Sequence, residues 1–448
     1  METAAVPPPM PWLEKLGLHR PELRAWALYD VANSAWMTTI ILLFPLYFVG
    51  VAAADRPADT ARSQFAFVTS LSVILVGVLG PLLGTVADLR GNKKGFLAVF
   101  LAIGAAATAA MYLITQGRFT LAVTSFVIAN VGVTSTLAFY NALLPGIARA
   151  DEVDRVSTAG FALGYLGGGV LFAFNAWLIA NPQALGLRDA NHAIRISFLS
   201  VAVWWVAFAI PLFLKVKEPP ASHGEGGPEN GPLLGIALRR LASTFKDLRA
   251  HKDAGFLLLA FLIYNDGINT IIRMATTYGS EIGIPQKDLI GALLMVQFVG
   301  VPFAFAFGLL ADRLGTKRSI LLALTVYGGI AIYAYWLRTP GQFYGLAFLV
   351  GLVQGGAQGL SRSLFASLIP RDKAGEMFGF FGVFDRFGGA IGSMLFAVVL
   401  ALTGSSRPAI VSLIVLFVAG AFVLTKVDVE RGRALADREN RMVEAEAR

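Results

Sequence analysis

Several apolar stretches of this chain carry ionisable and amide side chains at helical spacing. Asp30, Asn33, Ser34 and Met37 follow at i, i+3, i+4 and i+7, and Asp266, Asn269, Thr270 and Arg273 repeat that spacing in the second half. Such spacing puts each set on one helix face. Gln354, Gln358 and Arg362 fall at i, i+4 and i+8, and Asp385 adjoins Arg386. Together these groups supply both charges and several hydrogen bonds to a polar solute. A carboxylate among apolar neighbours can also take up and release a proton. We therefore expect Asp30, Asn33, Asp266, Asn269, Arg273, Gln354, Gln358, Asp385 and Arg386 to form a substrate- or ion-binding set. The pattern does not suit covalent or metal chemistry. Cys is absent, the four His (His19, His192, His223, His251) lie in polar connecting or terminal stretches, and no HExxH, GxSxG or GxxxxGK[ST] occurs. No enzyme, metal site, cofactor or ATP-driven step is expected.

The elements that must hold these residues follow from composition. Hydrophobic residues make up 56 % of the 448, charged residues 15 %, and mean hydropathy is +0.65. That is too little charge to cover a water-soluble surface, so the chain belongs in a bilayer. A span needs about 20 mostly apolar residues. Twelve such runs occur: 24–49, 64–87, 95–115, 119–145, 156–180 and 194–214, then 254–279, 288–311, 319–337, 341–365, 376–402 and 407–425. The predicted fold class is an all-α membrane protein of twelve transmembrane helices in two pseudo-symmetric six-helix bundles.

Residues 1–23 form the N-terminal tail, 24–214 the first bundle, 215–253 a linker, 254–425 the second bundle and 426–448 a charged tail with no expected site. Most of the 37 Lys and Arg flank the spans on the side of both termini, which predicts cytoplasmic termini. The net charge of +8 is thus a topology signal, and no nucleic-acid partner is expected. The linker's second part, with Leu234, Leu238, Leu241, Phe245 and Leu248 on one face, is expected to form an amphipathic helix at the membrane surface or against the bundle.

GPLLGTVADLRGNKKG (80–95) and GLLADRLGTKRS (308–319) are near copies at the cytoplasmic turn after the second helix of each half. Gly84, Asp88, Gly91 and Lys93 match Gly308, Asp312, Gly315 and Lys317, with Arg313 after the second Asp where Leu89 stands in the first. Gly77, Gly80 and Gly84 make a smooth stripe for close helix approach. Gly91 and Gly315 suit positive φ in a tight turn. The lysines hold the turn in the cytoplasm, and each Asp can accept hydrogen bonds from the free N–H groups of a neighbouring helix start. These residues are the expected gating loops.

The doubled loop resembles the hallmark of the major facilitator superfamily of secondary transporters. WALYDVANSAWMTTI, FYNALLPGIA, GFALGYLGGG, QGLSRSLFASLIP and GEMFGFFGVFDRFGGAIG resemble its vacuole-effluxer-like branch over essentially all twelve spans. That resemblance implies alternating-access transport, a cavity lined mainly by the first, fourth, seventh and tenth helices, and amino-acid export in fungal members.

The expected function is therefore secondary transport of a small polar solute, an amino acid or related metabolite, by a bacterial inner-membrane monomer coupled to protons. A non-transporting sensor or scaffold on the same fold is the rival. Among individual residues, Asp30 stands near the cytoplasmic end of its span, where gate, capping and binding roles compete. Arg362 is read as snorkelling to the surface. Trp36, Tyr140, Asn141 and Tyr165 are candidates to line the cavity, while the glycines Gly164, Gly167, Gly168, Gly169, Gly388, Gly389 and Gly392 are expected to serve packing.

Overall fold

The computed structural model describes residues 11–218, 251–387 and 390–446. The expected amphipathic linker helix, Gly388 and Gly389 lie outside the described residues, as does the side chain of Arg386. After a short α1 (Pro11–Lys15), the first half is built from α2 (Pro21–Tyr47), α3 (Ala58–Arg90), α4 (Lys93–Ala110), α5 (Phe119–Ile147), α6 (Val153–Ala180) and α7 (Ala190–Lys215). The second half comprises α8 (Lys252–Glu281), α9 (Gln286–Leu314), α10 (Thr316–Tyr335), α11 (Pro340–Ser367), α12 (Ala374–Phe387), α13 (Ala390–Thr403), α14 (Ser406–Ser412) and α15 (Ile414–Thr425). A final helix, α16, runs Val429–Glu446.

Eleven stretches of helix among the described residues are long and apolar enough to cross a membrane, and Ile391–Thr403 is a shorter apolar segment. The expected eleventh span thus corresponds to α12 and α13, on either side of residues 388–389. Long apolar helices satisfy every backbone group internally, which is the condition hydrocarbon imposes. The chain is an integral multi-pass membrane protein.

Neighbouring helices alternate in direction, so α2 begins and α3 ends on the face that also carries α16; we call it the terminal face. Each half ends its sixth helix in the same way. The Lys94 Nζ donates to the carbonyls of Phe213 and Val216 at 2.9 and 2.7 Å, and Lys317 Nζ to those of Thr425 and Val427 at 2.8 and 2.7 Å. A cation there complements the negative end of a helix. Lys94 is thereby the spatial counterpart of Lys317. The sequence register pairs Lys93 with Lys317 instead, because α4 starts at Lys93, one residue later in its turn than α10 at Thr316. Glu218 closes the first half by accepting from the backbone N–H groups of Lys93 and Lys94, and burial pushes its carboxyl pKa up.

The charged tail is not loose. Asp253 accepts from Arg431 at 2.8 Å, Glu439 meets His251 at 3.1 Å, and Arg433 donates to Ser367 at 3.2 Å, so α16 packs against α8 and α11.

Candidate functional site

The halves meet where small residues let backbones touch. Gly80 and Gly84 of α3 face Gly379 and Gly375 of α12, and an added Cβ on Gly84 would lie 2.7 Å from the Gly375 carbonyl carbon. Beside this crossing the Asp88 carboxylate accepts from the N–H groups of Gly375 at 3.0 Å and Glu376 at 2.8 Å. It therefore sits on the positive start of α12. Lys93 adds an ion pair to Asp88 at 2.7 Å, and both side chains are buried. Lys93 thus turns inward and does not hold the turn in solvent. Gly91 takes φ 55° and Gly315 φ 84°, the region glycine alone enters freely.

The second copy is wired differently. Asp312 is exposed and pairs with Arg155 of α6 at 3.5 Å. The carboxylate at the start of α6 belongs instead to Asp154, which accepts from Thr316 at 2.6 Å and from Ser363. Gly308 packs on Arg155 and Thr158, and Gly359 on Thr158. Arg313 is exposed.

Between these two crossings lies Arg362. It is 3 % exposed, and it does not snorkel: α11 runs on to Ser367, so the side chain is more than a turn inside its helix. A guanidinium has five N–H donors, and all five are used. Nη2 donates to Asp30 at 2.9 Å and to the Ser157 carbonyl at 2.8 Å; Nη1 donates to Asp30 at 3.4 Å and Asn141 at 3.3 Å; Nε donates to the Ser157 hydroxyl at 2.9 Å. The ring centroids of Phe161, Trp26 and Tyr140 lie 4.5, 4.7 and 5.6 Å from its central carbon, within cation–π range. Every one of these partners belongs to α2, α5 or α6, in the opposite half. Sequence reasoning missed this. The available signal was Arg362 flanked by Ser361 and Ser363 and continuing the Gln354–Gln358 face.

The two matched polar stripes do different things. Asp30, with Asn33 donating to it at 3.2 Å, reaches across to Arg362. Asp266 stays within its own half, accepting from the Gly392 N–H of α13 at 2.7 Å, next to Thr270. Asn265, absent from the expected set, donates to Asp385 at 2.8 Å and accepts from Gln358 at 3.4 Å. Asn269 is half-buried, and Arg273 is exposed and acts electrostatically on Asp266. Gln354 lies beside Tyr165, whose ring slots between Gly300 and Gly355 of the other half. Trp36 is buried in the first half, donating to Thr108 at 3.1 Å, and does not line a cavity. An apolar groove of about 610 Å³ between α6 and α7, against Phe174, Trp204 and Phe208, lies apart from these polar groups.

A profile described as "Vacuole effluxer Atg22 like" matches residues 58–437. The chain is 35 % identical over 421 residues to the uncharacterized MFS-type transporter YxiO of Bacillus subtilis (strain 168), covering 93 % of this chain and 97 % of that one. It is 27 % identical over 315 residues to autophagy-related protein 22 of Yarrowia lipolytica, covering 64 % of this chain and 53 % of that protein; it spans about half the length of that fungal relative. Two solved structures share the fold. The human organic anion transporter MFSD10 (TETRAN) matches with TM-score 0.68 at 15 % identity, covering 90 % of this chain and 99 % of that one. The proton:xylose symporter XylE matches with TM-score 0.65 at 13 % identity, covering 92 % and 95 %.

Proposed function

The chain belongs to the vacuole effluxer Atg22-like family of major-facilitator transporters, and from that premise we propose that it moves a small polar solute by alternating access. The observation that carries this reading is the Arg362 cluster, a buried cation of one half satisfied entirely by the other. Such a group costs little while the halves are shut at the terminal face, and leaves a charge to be re-solvated when they part. It is suited to a two-state element. Asp88 on α12 and Asp154 on Ser363 and Thr316 act as further latches of the same closed end. A scaffold would have no need of a cation placed wholly at the mercy of the opposite half.

The solute we favour is an amino acid or related zwitterionic metabolite, because the spans carry both carboxylates, at Asp30, Asp266 and Asp385, and guanidinium groups, at Arg273 and Arg362. The terminal face is assigned to the cytoplasm, and the membrane to the bacterial inner membrane. Coupling to protons runs through a carboxylate, with Asp30, Asp266 and Asp385 the candidates. A thermal-shift screen of the purified chain across amino acids, peptides and sugars identifies the solute, and flux in proteoliposomes against imposed pH gradients tests coupling. Solute flux that ignores the pH gradient in wild type rejects proton coupling; solute-independent behaviour in every assay rejects transport.

A further inference from the structure

We propose that Arg362 is a receptor for the carboxylate group of the transported solute, and that Asp30 is the internal carboxylate holding its place while the terminal face is shut. The proposal rests on the alternating-access reading above. Its physical basis is the one-sided wiring of the guanidinium. Asp30 comes from α2, Asn141 from α5 and Ser157 from α6, as do the aromatic rings of Trp26, Tyr140 and Phe161. When the halves separate at this end, α11 carries Arg362 away from all of them together.

A desolvated guanidinium losing every partner is among the costliest events available to this fold. Water relieves part of it; a planar carboxylate, which matches the fork, relieves more. Asp30 already shows the preferred geometry, with its two oxygens on the two terminal nitrogens. A solute arriving from the terminal face with a carboxylate therefore meets a site shaped for it.

Asp30 is left behind as the complementary half of the exchange. It keeps Asn33 as a donor and is left to accept from water or from a cationic group of the solute in place of Arg362. The other ionisable groups acting on it are Tyr29 of its own helix, Tyr140 of α5 and Tyr165 of α6. None of these supplies a positive charge. Separation of the halves thus frees Arg362 for an external carboxylate, and closure returns the guanidinium to Asp30.

The test uses the purified full chain and a minimal probe, propionate, with the neutral propionamide as control. Binding is followed by calorimetry at neutral pH, where the probe is ionised. Wild type is expected to bind propionate more tightly than propionamide. Asp30→Asn, which keeps the volume and removes the competing charge, is expected to bind about tenfold or more tighter than wild type, equal to about 1.4 kcal/mol. Arg362→Gln is expected to bind no propionate. Asp30→Asn binding no tighter than wild type, Arg362→Gln retaining propionate, or propionamide binding as well as propionate would overturn the proposal. Should Asp30→Asn not fold, Arg362→Lys decides, since it keeps the charge and drops the fork: the proposal requires about tenfold weaker binding, and unchanged binding refutes it. Failure here with solute flux intact leaves transport standing and removes only the carboxylate receptor.

Discussion

Gly84→Ala is the sharpest perturbation of the closed end. The new Cβ would lie 2.7 Å from the Gly375 carbonyl carbon and 3.1 Å from the Glu376 nitrogen. Those atoms are backbone in a helix start, so they cannot swing aside as a side-chain tip would. Relief requires α3 and α12 to move apart, and that movement stretches the 3.0 and 2.8 Å hydrogen bonds from Gly375 and Glu376 to Asp88. Overpacking of this kind costs about 1–3 kcal/mol, and a hydrogen bond to a charged group is worth about 1.5–3 kcal/mol. Taking about 2 kcal/mol as the net penalty on the closed arrangement, its population relative to the open one falls about thirtyfold. The chain contains no Cys, so a single reporter suffices. Thr158→Cys places a thiol that is 1 % exposed and packed against Gly308 and Gly359 of the other half. Its alkylation rate is expected to rise at least about tenfold in the Gly84→Ala background. An unchanged rate, in a variant that still folds and binds ligand, would refute the reasoning that α3 and α12 form the gate.

Asp154→Cys combined with Ser363→Cys joins α6 to α11 where those side chains now touch; oxidation is expected to abolish flux, and reduction to restore it, in proteoliposomes. Lys317→Met removes the cation from the last carbonyls of α15 and is expected to lower stability by about 1 kcal/mol, read by thermal unfolding; Lys94→Met is expected to cost a similar amount in the first half. The hydrogen bond from His251 holds the Glu439 pKa below its ordinary value. A carboxyl depressed in the folded state stabilises above the unfolded value and loses that contribution as pH falls through the folded one. Docking of α16, followed by limited proteolysis, is therefore expected to weaken on acidification below about pH 4.5, and Glu439→Gln is expected to weaken it already at neutral pH.

The architecture was legible because bilayer physics writes it into the chain. Apolar length marks each span, and the doubled Gly-Asp-Gly-Lys turn marks the halves. The site was legible only in part. Spacing identifies which residues share a helix face, as for Asp30 with Asn33, but not which helix that face meets. Asp30 and Asp266 occupy equal places in their stripes, yet one bridges the halves and the other holds α13 at Gly392. Arg362 looked superficial because its depth depends on where α11 ends, and helix ends are the least certain feature of a pattern. The two Asp of the repeat diverge for a similar reason: Lys93 folds back on Asp88, while Asp312 finds Arg155. Those choices are tertiary, and no periodicity encodes them.

The central claim is that one end of the molecule opens as the other closes. Spin labels on Cys placed at Asp151 and Arg371 report the terminal face, and labels at Leu185 and Trp336 report the opposite face; all four positions are exposed. Pulsed distance measurements on both pairs, with and without the solute and across a pH range, test the claim most directly. Alternating access requires that the first distance lengthens as the second shortens, in the same population of molecules. Two distances that stay fixed, or that lengthen together, would contradict it.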